Sequence, residues 1–193
     1  MKTSYNKAIS DEDLMILSGE GKKVAFEEIY RRYSGKIYNY FLKMNRYDQV
    51  MAQDLTQDLF LKIVQSQKDF DHSKSFKTWI FSIANNMCKN IYRHEEVVKK
   101  ADREMSYTLN TTAKMETNID KSGFKKALSE ALNTLDPVKK SSFIMRYKHD
   151  LSIKEIAELT KASEGTVKSR LFYTLKQLTV SLKEFDLKGS HGK

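Results

Sequence analysis

Apolar positions recur along this chain in steps of three and four, the period of a helix that buries one face. No stretch alternates with the period of two that a half-buried strand needs. Over 24–45 the repeating positions are Phe26, Ile29, Tyr30, Tyr33, Ile37 and Phe41. Over 49–67 they are Met51, Leu55, Leu59 and Ile63, and from 76 to 94 they are Phe76, Ile80, Ile83, Met87 and Ile91. The period returns at Phe124, Ala127, Leu128, Ala131, Leu132 and Leu135, and a last helix sets Val167, Leu171, Leu175 and Leu178 inward.

The helix ends are written in polar residues. Ser10 followed by Asp13 reads as a capping pair that opens a short helix ending near Gly19 and Gly21. Asp136 before Pro137 supplies an N-cap and a first helical residue whose missing N–H costs nothing. Ser152 with Glu155 is a second capping box, Ser163 a further N-cap, and His149-Asp150 a break between helices. Residues 96–120 are polar, rich in Thr, Asn and Ser, and carry no sustained apolar period, which suits a tether. The pattern therefore predicts an all-α chain of two small helical domains, 1–95 (a helical bundle) and 121–193 (a helix-turn-helix), joined by a flexible linker at 96–120.

Composition narrows the class. A single Cys, one Pro and seven Gly in 193 residues exclude a disulfide-stapled module and a Pro/Gly-rich chain. The N-terminus has no apolar signal segment, and no apolar run approaches the ~20 residues that span a bilayer. A cytoplasmic protein is expected. The formal charge of +9 is unevenly spread. Residues 1–95 hold 15 basic and 12 acidic side chains, 96–120 hold 4 and 5, and 121–193 hold 15 and 8. The C-terminal domain thus carries most of the positive field, as a partner of polyanionic nucleic acid would.

Two short helices joined by a tight turn, the second N-capped, form the helix-turn-helix pattern over 152–178. In that motif the first turns of the second helix enter the major groove. The outward residues there are Lys168, Ser169, Phe172, Tyr173 and Lys176. Lysine suits guanine O6 and N7, and an aromatic edge suits a thymine methyl. Arg146, Lys154, Thr166 and Arg170 are placed to hold phosphate and fix register. Lys161 stands where such a turn usually has Gly, a substitution that costs up to ~1 kcal/mol if the residue is left-handed.

The runs AQDLTQDLFLKIVQ, FKTWIFSIANNMCKNIYR, the LDP junction and SEGTVKSRL occur in that order. Together they resemble the bacterial RNA polymerase sigma factors of the sigma-70 superfamily, in the extracytoplasmic-function group. The resemblance covers roughly 10–95 and 121–180. It implies that the first domain binds the clamp helices of the polymerase's largest subunit and captures the melted −10 strand. It also implies that the second domain reads the −35 duplex beside the flap region.

By the resemblance, Asp54, Gln57, Asp58 and Leu61 fall on the core-binding helix. Carboxylates on one helical face can pair with arginines of a partner helix, though an internal Asp58–Lys62 pair on a solvated face would use the same residues. Asn86 falls at the family position that helps capture a flipped base, with Lys89, Asn90 and Arg93 along the same stripe. The loop from Phe70 through Asp71 to Ser75 would form the other wall of that pocket. Phe76 and Trp79 could stack on bases, but their helical spacing with Ile80 and Ile83 favours core. Many members of the group are held inactive by an anti-sigma partner wedged between the domains, and a flexible linker permits such clamping.

An enzyme finds no support: the chain lacks a Gly-rich phosphate loop, GxSxG, HExxH and paired Cys/His zinc spacing. No catalytic residue, metal ligand, cofactor or small-molecule substrate is expected. His72, His94, His149 and His191 are scattered and read as surface residues, and Cys88 as a small hydrophobe. The competing reading is a stand-alone helix-turn-helix regulator that binds duplex DNA without polymerase, usually as a dimer.

Overall fold

The computed structural model describes residues 9–67, 70–105 and 123–183, with side chains outside 99–105. The described residues form eight helices: α1 (Asp11–Gly19), α2 (Lys23–Met44), α3 (Gln49–Gln65), α4 (Phe76–Met105), α5 (Gly123–Asn133), α6 (Pro137–Lys148), α7 (Ile153–Thr160) and α8 (Glu164–Ser181). The expected caps form. The Asp136 carboxylate accepts from the N–H groups of Val138 and Lys139 at 3.1 and 2.9 Å. The Ser152 hydroxyl accepts from Glu155 N at 3.1 Å while Glu155 Oε2 accepts from Ser152 N at 2.7 Å, a complete capping box. Lys161 is left-handed, at φ 53°, as the turn demanded.

Helix α4 extends ten residues into the stretch read as linker, so helix continues to Met105 where a tether was expected from 96. The rest of that stretch, 106–122, lies outside the described residues, as do the tail from 184 and His191. The buried line of α4 also differs. Phe76, Ile80, Phe81, Ala84, Asn85 and Cys88 are buried, while Ile83, Met87 and Ile91 are half-exposed. The cause is that α4 packs on α2 and α3 and also on α6 and α7, so its inner face is wider than a one-sided helix has and is centred on small residues. On α3 the inward line is Ala52, Thr56, Leu59, Phe60 and Ile63, with Met51 and Leu55 at its edge.

The acidic start of α1 ties three helices together. Asp11 pairs with Arg32 at 2.7 Å and accepts from the Tyr33 hydroxyl, and Glu12 Oε1 accepts from Phe76 N at 2.7 Å. Glu28, buried on α2, takes Arg31 and Arg32 at 2.6 and 2.7 Å; those guanidinium hydrogen bonds hold its carboxyl down at about 2.

The two halves of the chain share one apolar core. Ile144, Met145, Leu151, Ile156 and Val167 join the cluster built by α1 to α4, and a smaller cluster unites Ala131, Leu132, Leu135 and Leu178. Across the seam, Ser141 Oγ donates to Asn85 Oδ1 at 2.7 Å and takes the Tyr40 hydroxyl at 2.9 Å. Lys140, 3% exposed, donates to Met44 O at 3.3 Å and Asn133 Oδ1 at 2.8 Å. His149 corrects the surface reading: it is 9% exposed, its ring 4.7 Å from Phe81 and 6.1 Å from Tyr40.

Candidate nucleic-acid interface

Helix α8 is capped by Ser163, whose hydroxyl accepts from Thr166 N at 3.1 Å. Its inner face, Val167, Leu171, Thr174 and Leu178, is buried against the rest of its domain, chiefly α6 and α7. Thr174 replaces the expected Leu175, which is exposed; the Thr174 hydroxyl is satisfied by Arg170 O at 2.7 Å, so it can be buried without cost to its polarity. The outer face presents Lys168, Ser169, Phe172 and Tyr173, all exposed, with the two rings edge to face at 5.4 Å. Phe172 at 63% and Tyr173 at 59% are among the most exposed aromatics, and two uncovered rings in contact form the kind of patch that marks a binding surface. Ser169 shares its hydroxyl proton between Gly165 O and Thr166 O at 3.0 and 3.1 Å.

The four phosphate candidates divide. Lys154 and Thr166 are exposed. Arg146 and Arg170 are half-buried and brace their own domain, Arg146 Nη1 on Leu151 O at 3.0 Å and Arg170 Nη1 on Ser142 Oγ at 3.3 Å. Both guanidinium groups are therefore partly committed to the scaffold.

On α4, Asn86, Asn90 and Arg93 are exposed and Lys89 half-exposed, so the expected stripe is available to solvent. The loop beside it is ordered by Asp71, which accepts from Ser73 N at 3.0 Å and Ser73 Oγ at 2.7 Å; these bonds keep its carboxyl below the usual carboxylate range. Ser75 accepts from Thr78 N at 3.3 Å at the start of α4. Phe70 departs from the expectation of a pocket wall. It is 3% exposed, tilted against Trp79 at 5.0 Å and edge to face with Phe76 at 5.7 Å, so its ring is packed under the loop. Phe76 is fully buried and Trp79 partly so, as the core reading requires.

Asp54, Gln57, Asp58 and Leu61 share one exposed face of α3. Asp58 makes no ion pair with Lys62, so both carboxylates face outward without an internal partner among the described residues. Sequence reasoning missed Val50, 72% exposed, and Val64, 47% exposed, which extend that stripe with Leu61 at 59%. Their signal was present in the steps from 50 to 54, 57, 61 and 64, which continue the same face. Apolar residues interleaved with unpaired acids on a fully solvated stripe suit a partner surface better than a bare solvent face.

No group of metal-ligating side chains and no helix long and apolar enough to cross a membrane occurs among the described residues.

Comparison with known proteins places these faces in context. Residues 29–97 match the Sigma-70 region 2 family and residues 125–178 match Sigma-70, region 4. The chain is 30% identical over 151 residues to the RNA polymerase sigma factor YlaC of Bacillus subtilis, covering 76% of this chain and 86% of that protein. It is 25% identical to the RNA polymerase sigma factor CarQ of Myxococcus xanthus, over 87% of this chain and 95% of that one. Its fold resembles the sigma factor RpoE of Bartonella quintana, solved in complex with the anti-sigma factor NepR, with a TM-score of 0.67 at 20% identity over 82% of this chain and 96% of that one.

Proposed function

The chain belongs to the extracytoplasmic-function RNA polymerase sigma factors of the sigma-70 superfamily, and from that premise we propose three contacts during initiation. The outer face of α3 docks on the clamp helices of core polymerase, the exposed stripe of α4 captures the melted −10 strand, and α8 reads the −35 duplex. Sigma factors as a family are not enzymes; the polymerase supplies the chemistry, and this chain supplies the promoter address.

The observation that carries the reading is that all three matched faces are solvent-exposed while the helices bearing them are anchored from behind. Asp54 and Asp58 offer unpaired carboxylates to arginines of a partner helix, and Val50, Leu61 and Val64 offer apolar area around them. Asn86 offers an amide to a base edge, and Lys89 and Arg93 track a single-strand backbone. On α8, Lys168, Ser169, Phe172 and Tyr173 face the groove, while Lys154 and Thr166 hold phosphates. Arg146 and Arg170 join them by turning from Leu151 and Ser142. An anti-sigma partner, of the kind that accompanies RpoE in its complex with NepR, would act by covering faces this chain leaves open.

Run-off transcription with core polymerase on double-stranded genomic fragments tests the proposal. The chain should confer initiation at defined start sites. A double reversal, Asp54→Lys with Asp58→Lys, should abolish core binding with unchanged helicity, because both groups lie in solvent. Asn86→Ala should keep core binding and weaken open-complex formation. Normal core binding by the double reversal would disprove the docking face, and tight promoter binding without polymerase would favour a stand-alone regulator.

A further inference from the structure

At the C-terminal end of α6 the seam between the two halves of the molecule opens into a cleft of about 450 Å3. Its walls are cationic: Arg31, Arg32, Lys36 and Lys43 come from α2, and Lys148 and His149 from the end of α6. No acidic side chain of the described residues lines it. The nearby acids Glu28 and Asp11 are consumed by Arg31 and Arg32, and even so one guanidinium nitrogen, Arg32 Nη2, stays buried with no hydrogen-bond partner among the described residues. His149 Nε2 is in the same condition, on a ring that is nine-tenths buried. Lys36, Lys43 and Lys148 form no ion pair with any described residue.

This cluster pushes against itself. Burial and the Lys148 charge hold Lys43 below the usual lysine range. Burial, with Lys43, Lys77 and Lys36, pushes His149 down to about 4 against only a weak opposing pull from Asp150. Lys36, Lys43 and Lys148, gathered at one cleft with no acidic partner of their own among the described residues, repel one another. A multivalent anion would relieve that repulsion.

We propose that this cleft is a binding site for a linear phosphoanhydride chain, as carried by inorganic polyphosphate or by the tail of a nucleoside triphosphate. The volume lies within the range of small-ligand sites. The donors suit tetrahedral oxyanions repeated along a short chain: guanidinium groups at one end and ammonium groups along the wall. Because α2 and the end of α6 both contribute, an occupant would bind the packed arrangement better than a parted one and hold the two halves together. The site stands apart from the promoter-binding role. A chain that bound the anion but failed to initiate transcription would overturn that role and leave the site intact.

Isothermal titration of the full chain at constant ionic strength tests the site, with tripolyphosphate as probe. Tripolyphosphate should bind at least tenfold more tightly than orthophosphate and raise the melting temperature. Lys43→Gln with Lys148→Gln should weaken it tenfold or more, while Lys22→Gln with Lys23→Gln, the same charge loss on an exposed part of the chain outside the cleft, should change it less than twofold. Lys43→Arg with Lys148→Arg should retain binding. ATP and GTP separate the two sources: affinity gained from the base assigns a nucleotide, and equal affinity assigns inorganic polyphosphate. Equal loss in both lysine-to-glutamine pairs, binding of hexaglutamate as tight as tripolyphosphate, or no preference over orthophosphate would each overturn the proposal.

Discussion

The outer face of α8 and the seam between the halves are built from the same kinds of residue. Lys168, Ser169, Phe172 and Tyr173 are exposed on α8, whereas Lys140, Ser141, Phe81 and Tyr40 are buried at the seam. Residue type therefore does not decide their fate; the partner does. In the buried part of the seam Tyr40, Ser141, Asn85 and Lys140 find partners across the junction, as in the relay from Tyr40 through Ser141 to Asn85. On α8 the same groups are turned to solvent, and two aromatic rings are left uncovered against the hydrophobic effect. A surface kept in that state is available to a second molecule, while the buried part of the seam is already spent on the first.

The largest test of this contrast uses the two phenylalanines. Phe81→Ala removes a fully buried ring packed against Tyr40 at 5.7 Å and His149 at 4.7 Å, and should cost about 3–5 kcal/mol of unfolding free energy in urea. Phe172→Ala should change stability by less than about 0.5 kcal/mol and instead weaken −35 duplex recognition. Equal destabilisation by both would erase the distinction between the regions.

The serines give a smaller version. Ser141→Ala takes the middle link from the buried relay, leaving the Tyr40 hydroxyl only its 3.3 Å contact with Asn85, and should cost about 1–2 kcal/mol. Ser169→Ala, whose bonds lie in solvent, should change stability by less than about 0.5 kcal/mol. Acid acts on the same seam. His149 is neutral when packed, down at about 4, and titrates near 6.5 when unfolded. The unfolded chain thus binds more protons between these values, so stability falls as pH drops from about 6.5 to about 4. Burial sets that shift first, then Lys43 on α2, Lys77 on α4 and Lys36 on α2, with Asp150 beside it opposing. His149→Gln should flatten the fall, as read from melting temperatures across the window.

The uneven legibility of the chain follows from this contrast. Helices and their caps were readable because a cap is local: Ser152 and Glu155, or Asp136 and Pro137, specify a terminus within four residues. The exposed stripes on α3, α4 and α8 were readable because motif order marked them and helical spacing put them on one face. The seam was not. Apolar periodicity cannot register a junction whose key members are Tyr40, Asn85, Lys140, Ser141 and His149, since four of these five score as surface residues and Tyr40 only as an ordinary core aromatic. The same blindness misplaced the inner line of α4, where Ala84 and Cys88 outrank Met87 and Ile91 because partners approach from two sides. Phe70 failed for a related reason: a loop residue was read as a wall, but the core rings of Phe76 and Trp79 draw it inside.

The smallest effect sharpens the comparison from outside both regions. Lys161 ends α7 in the left-handed region at φ 53° and ψ 44°, where its Cβ meets the backbone strain that glycine avoids. The turn holds it there: Lys161 N donates to Glu158 O at 3.2 Å and Ala162 N to Ala157 O at 2.9 Å. Lys161→Gly should therefore gain up to ~1 kcal/mol, offset in part by the greater freedom of glycine in the unfolded chain. Its side chain is exposed and belongs neither to the seam nor to the recognition face. The gain should appear in urea denaturation with −35 binding unchanged. A loss of duplex affinity in this variant would mean that the lysine itself reaches the DNA, and the recognition face would then extend across the turn into α7.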